Sequence, residues 1–121
     1  MKILAIDDDR IILELIKGRL GKDGYEVLTA NNASEAFELL RENPAVILTD
    51  VMMPGLTGLE FLSILKNNML NETPIIVISV LADSETVYRA MNSGANDFVN
   101  KPIDFDQLVS KIQKYTLQPG V

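Results

Sequence analysis

Short runs rich in β-branched residues alternate along the chain with longer stretches whose apolar residues recur every three or four positions. The runs are Lys2 to Ile6, Tyr25 to Ala30, Ala45 to Thr49, Ile75 to Ser79 and Asp97 to Asn100. Each has the length of a strand, and "PIIVIS" is apolar without alternation, as expected of a strand covered on both faces. Between the runs, Ile11, Ile12, Leu15, Ile16 and Leu20 follow helical spacing, as do Ala36, Phe37, Leu39 and Leu40 after Asn32, a residue suited to cap a helix. Leu59, Leu62 and Leu65 form a third stripe, Val87, Ala90 and Met91 a fourth, and Phe105, Leu108, Val109 and Ile112 a fifth. Since a surface helix buries one face, these stripes are expected to face the core. Gly24, Gly94 and Pro44 stand where helices should stop.

Five β-α units within 121 residues predict a single α/β domain, a doubly wound five-stranded parallel sheet with five helices on its two faces. The domain is expected to span residues 1–116, with "LQPGV" at 117–121 as a tail or the start of a linker. Apolar residues at 47% and charged residues at 23% suit a soluble globular fold, and no apolar stretch approaches the ~18 residues of a membrane span. Lacking also a signal-peptide pattern, the chain is expected to be cytoplasmic. It has no cysteine and no histidine, which excludes disulfides, thiolate zinc sites and imidazole acid-base chemistry. A net charge of -6 argues against direct nucleic-acid binding by this domain.

In a doubly wound sheet, ligands bind beyond the C-terminal ends of the strands. The first run, in "AIDDDR", ends on Asp7 and Asp8, the third on Asp50 and the fourth on Ser79, while Lys101 and Pro102 follow the fifth. Any one of these is ordinary turn chemistry. Together they bring three carboxylates, a hydroxyl and an amine to one edge. Two carboxylates about 5 Å apart repel by about 3 kcal/mol at an effective dielectric of 20. A divalent cation would relieve that repulsion, and an all-oxygen ligand set suits a hard ion such as Mg²⁺. Lys101 can hold a carboxylate or a phosphoryl oxygen, and Ser79 can donate to another. The edge therefore suits a phosphoryl group attached to a carboxylate. Asp9 and Arg10 are expected to begin the first helix, where the dipole favours a carboxylate.

Through "ILAIDDDR", "VILTDVMMPGLTGLEFL", "PIIVISVLAD" and "SGANDFVNKPI", nearly the whole chain resembles the receiver domain of bacterial two-component response regulators. The resemblance implies a flavodoxin-like strand order, 2-1-3-4-5. It also implies that Asp50 is the phosphoacceptor and that Asp7 and Asp8 position Mg²⁺, with Asp50 and the backbone carbonyl of Met52 as further ligands. Ser79 and Lys101 would contact the phosphoryl group, Ser79 and Phe98 would be the switch residues, and the Lys101–Pro102 peptide would be cis. The implied function is Mg²⁺-dependent acceptance of a phosphoryl group from a sensor histidine kinase or phosphotransfer protein, in phosphorelay signal transduction. Such a domain is not an enzyme in the usual sense, although it assists its own phosphotransfer and dephosphorylation. Its output would be a change in the face formed by helix four, strand five and helix five, read by a downstream effector domain or protein or by a second copy in a phosphorylation-dependent dimer.

Val80 departs from the family pattern, which has a small residue after the switch hydroxyl, and its branched side chain would narrow access to Asp50. Met52 and Leu81 cannot orient an attacking water by a strong hydrogen bond, so self-dephosphorylation is expected to be slow. Two rival readings remain. Asp7 and Asp9 have the D-x-D spacing of haloacid dehalogenase-like phosphatases, as nucleophile and general acid, though Ile11 stands where that motif has Thr. A pseudo-receiver would keep the fold as a binding module without being phosphorylated.

Overall fold

The computed structural model describes residues 1–51, 58–68, 72–80 and 83–116. In chain order the elements are β1 (Lys2–Ile6), α1 (Arg10–Lys22), β2 (Glu26–Ala30), α2 (Ala33–Leu39), β3 (Val46–Thr49), α3 (Gly58–Ser63), β4 (Ile75–Ser79), α4 (Ser84–Asn92), β5 (Asp97–Asn100) and α5 (Phe105–Thr116). A 3-10 turn at Leu40–Glu42 extends α2, and a π-helical turn at Ile64–Asn68 extends α3. The strands pair in parallel in the order β2-β1-β3-β4-β5, as the family resemblance implied.

Alternate residues of the central strands face opposite layers. Leu4, Ile6, Ile47, Ile75 and Val77 pack with Ala36 of α2, Phe61 and Leu62 of α3 and Ala90 of α4. On the other face, Ile3, Ala5, Leu48, Ile76 and Ile78 pack with Leu13, Ile16 and Leu20 of α1 and Leu108 and Ile112 of α5. Burial on both faces accounts for the unbroken apolar character of β3 and β4.

The helix ends follow local chemistry. Asp9 caps α1 by accepting from the Ile11 amide at 2.9 Å, and Asn32 caps α2 by accepting from the Glu35 amide at 2.9 Å. Gly94 follows α4 in the left-handed region, at φ 115. Before Pro44 that conformation falls to Asn43 at φ 53, so the stop there is shared by two residues.

Two of the expected core stripes need correction. Ile11 and Leu15 do not face the core: they are 71% and 53% exposed, while Leu13, Ile16 and Leu20 are buried and Ile12 packs at the edge. Neighbouring positions on a helix are separated by about 100° of rotation, so an apolar stripe this wide leaves one flank in water. Met91 is likewise exposed, while Ala90 beside it is buried. Phe61, absent from the expected third stripe, is wholly buried and meets the Phe37 ring at 5.0 Å.

Candidate functional site

Strand register assembles the site. Ile6 pairs with Thr49, so Asp7 and Asp50 emerge side by side, and the Asp50 amide donates to the Ile6 carbonyl at 3.1 Å. Ser79 pairs with Asn100, which brings Lys101 alongside, its amide donating to the Ser79 carbonyl at 2.9 Å. The peptide between Lys101 and Pro102 is cis.

Lys101 Nζ lies 2.7 Å from Asp7 Oδ2 and 2.9 Å from Asp50 Oδ2. Both carboxylates are nearly out of solvent, at 3% exposure for Asp7 and 7% for Asp50, whereas Asp8 is exposed. The other oxygen of Asp7, Oδ1, accepts from the Asp9 amide at 2.9 Å, which fixes the orientation of the carboxylate. Behind the site, the buried Thr49 hydroxyl donates to the Asp50 carbonyl at 3.0 Å, a contact that nothing in the sequence pattern announced. Ser79 is fully buried, and Val80, immediately after it, is 67% exposed.

Burial is the largest influence on Asp7 and holds its carboxyl above the usual carboxylate range, outweighing the hydrogen bonds from Lys101 and the Asp9 amide. Burial alone would lower Lys101, but its hydrogen bonds to Asp7 and Asp50 and their charges prevail, so its net shift is upward and the ammonium is maintained. The carboxylate repulsion that sequence reasoning left to a metal ion is thus already met in part by this lysine.

Asp7, Asp8 and Asp50 each offer one oxygen, and these oxygens lie within 4.8 Å of one another. Oxygens this close, on side chains from two neighbouring strand ends, could together hold one hard cation. Hard oxygen donors, with the exposed Asp8 at the rim, fit a cation that keeps part of its water shell. Phe98 is half-buried against the cluster that contains Ala90 and Val77. Met52 and Leu81 lie outside the described residues. Asp9 is turned to capping α1.

A doubly wound sheet with buried acids and a lysine at its strand ends defines the class of this protein as an α/β domain with a cation- and phosphoryl-suited edge. Its sequence matches the response regulator receiver domain over residues 3–113, and the chain belongs to that family. It is therefore a signalling domain of two-component phosphorelays. It is 39% identical over 115 residues to the transcriptional regulatory protein CrdR of Helicobacter pylori, covering 94% of this chain and 54% of that protein. To the transcriptional regulatory protein KdpE of Staphylococcus aureus it is 39% identical over 113 residues, covering 93% and 48% respectively. The chain thus spans about half the length of these curated relatives. Among solved structures, the receiver domain of the Francisella response regulator 1452 superposes with a TM-score of 0.89 at 34% identity, over 95% of each chain. Among the described residues, no helix is long and apolar enough to cross a membrane.

Proposed function

We propose that Asp50 accepts a phosphoryl group from a phosphohistidine of a sensor histidine kinase or phosphotransfer protein, in a Mg²⁺-dependent reaction in the cytoplasm. The observation that carries this reading is the Lys101 ammonium bridging Asp7 and Asp50 within hydrogen-bond distance, beside a third carboxylate. An Asp50 carboxylate oxygen attacks phosphorus, the phosphorus–nitrogen bond breaks, and its electron pair returns to the donor imidazole. Lys101 trades its contact with Asp50 for an equatorial phosphoryl oxygen, where its charge offsets the negative charge that develops there. Ser79 donates its hydroxyl to a second oxygen. Asp7, Asp8, Asp50 and the Met52 carbonyl would hold Mg²⁺, which when bound supplies a Lewis acid for the phosphoryl oxygens.

In this reading the domain is a phosphoacceptor rather than an enzyme with turnover, although the same residues assist both transfer and hydrolysis. Ser79 moves toward the phosphoryl group, Phe98 turns inward, and the face of α4, β5 and α5 is remodelled for a downstream effector domain or protein, or for a second copy of the chain. Reversing a 1:99 preference takes about 5 kcal/mol of differential stabilisation, within reach of a few charge-assisted hydrogen bonds. The phosphatase alternative is disfavoured because its general acid, Asp9, is engaged as the α1 cap.

Intact mass after incubation with acetyl phosphate tests the proposal. The wild type should gain one phosphoryl group with Mg²⁺ and far less with a chelator, and Asp50→Ala should gain none. An unmodified wild type, or an equally modified Asp50→Ala, would contradict it.

A further inference from the structure

We propose that Thr49 is a positioning residue for Asp50: its hydroxyl holds the peptide that follows Asp50 and so fixes where the carboxylate stands. The consequence for phosphoryl transfer rests on the phosphoacceptor reading above, whereas the hold itself is a feature of the resting fold.

Packing does not account for a threonine at this position. Val46 and Leu48 of β3 face the layer of α1 and α5 while Ile47 faces the opposite one, so Thr49 falls on the side of α2, α3 and α4. Its ladder neighbours are Ile6 on β1 and Val77 on β4, both buried in that layer. Thr49 is itself wholly buried. Valine has nearly the same shape, suits a strand equally and carries no polar side-chain atom, so such surroundings favour it over threonine. A hydroxyl buried there is costly unless it is bonded, and the bond described for it runs to the Asp50 carbonyl at 3.0 Å.

That carbonyl lies where the chain leaves the sheet. Strand β3 ends at Thr49, and the Asp50 amide still donates to the Ile6 carbonyl at 3.1 Å. The next residue, Val51, is buried in the same layer as Ile6 and Val77. With its amide held by β1 and its carbonyl by Thr49, Asp50 has both flanking peptides fixed, which gives its Cα–Cβ bond one direction. The remaining side-chain torsions are restrained by the Lys101 ammonium, 2.9 Å from Oδ2. Successive strand residues point to opposite faces, so Thr49 acts on the carboxylate through the backbone alone.

In-line attack needs the reacting oxygen about 3–3.5 Å from phosphorus, and a misplacement of about 1 Å can cost about a hundredfold in rate. Loss of the hydroxyl lets the Asp50 peptide rotate and shifts the carboxylate by a fraction of that distance. A slowing of about tenfold is therefore expected.

Three variants of the whole chain test this role. Thr49→Val keeps the shape and removes the donor, Thr49→Ser keeps the donor, and Ile16→Ala weakens packing on the other face of the sheet. The rate of phosphoryl gain is read by intact mass with acetyl phosphate and Mg²⁺, under conditions where urea unfolding shows each variant fully folded. It should fall about tenfold in Thr49→Val, return to within about twofold of wild type in Thr49→Ser, and hold at the wild-type value in Ile16→Ala. In the metal-free, unmodified proteins, the ¹³C resonance of the Asp50 carbonyl and the Val51 amide resonance should move in Thr49→Val and stay near wild type in Thr49→Ser. A wild-type rate in Thr49→Val, a Thr49→Ser as slow as Thr49→Val, or an equal slowing in Ile16→Ala would overturn the positioning role. If the wild type gains no phosphoryl group, the phosphoacceptor reading falls and the resonances decide the hold by themselves. Movement confined to Thr49→Val then supports it, and unmoved resonances overturn it.

Discussion

Lys101 shows how one side chain can offset part of the repulsion along an edge of carboxylates. The sequence places an amine near three acids, but a pairing across 94 positions depends on strand register and side-chain reach, which periodicity does not encode. Asp7, Asp50, Ser79 and Lys101 were legible because each ends or follows a strand on the same edge. Thr49 was not, because a threonine within an apolar run reads as an ordinary strand residue. Replacing Lys101 with Ala leaves two nearly buried carboxylates without that partner, and should cost about 3 kcal/mol in urea unfolding in the presence of a chelator. Mg²⁺ should restore part of the loss. On the far side of β5, Asp97 pairs with Lys111 at 2.7 Å and accepts from Tyr115 at 3.3 Å. Burial raises this carboxyl, but the Lys111 contact and the Phe98 amide outweigh it, so its pKa lies below the usual value. A depressed folded pKa stabilises above the unfolded value, and that stability is lost as pH falls through the folded one. Asp97→Asn should therefore cost about 1–2 kcal/mol at pH 7, and the difference from wild type should shrink toward zero as pH falls through and below the usual carboxylate range.

Among the elements, helix existence was readable from spacing, while rotation was not. Four apolar residues at 11, 12, 15 and 16 describe a stripe wider than the sheet can cover, and packing around Leu13 and Leu20 decides which slice is buried. Accordingly, Leu15→Ser should change unfolding free energy by less than about 0.5 kcal/mol, and Ile16→Ala should cost about 2–4 kcal/mol. The stop signal at Gly94 was readable too, but the Lys66 stem packed against it, where an added Cβ would collide, was not, because the π-helical turn that delivers Lys66 has no sequence signature in this chain. Gly94→Ala should destabilise by about 2–3 kcal/mol, from the positive φ and the clash together. Adding Lys66→Ala should recover the clash component only, so a double-mutant cycle in urea should show coupling of about 1 kcal/mol.

For the molecule as a whole, alternating short and long apolar patterns were enough for an α/β class and a parallel sheet, since no other arrangement covers both faces of such strands. Strand order was a different matter: several orders satisfy the same alternation, and 2-1-3-4-5 came from the family resemblance before the pairing of β1 with both β2 and β3 established it. That order matters because it sets β1 beside β3, and so Asp7 beside Asp50. The whole domain also sets the lifetime of the proposed signal. With Met52 and Leu81 unable to orient water strongly, the purified phosphoprotein should lose its label over minutes or longer, measured by intact mass after removal of the phosphodonor. Loss within seconds would contradict this.

The central claim is that Asp50, and no other carboxylate of the edge, carries the phosphoryl group. Its most direct test is to treat the chain with acetyl phosphate and Mg²⁺, reduce the acyl phosphate with borohydride, and map the reduced residue by peptide fragmentation. Reduction at Asp50 alone is the predicted result; reduction at Asp7, or none despite a verified adduct, would contradict it.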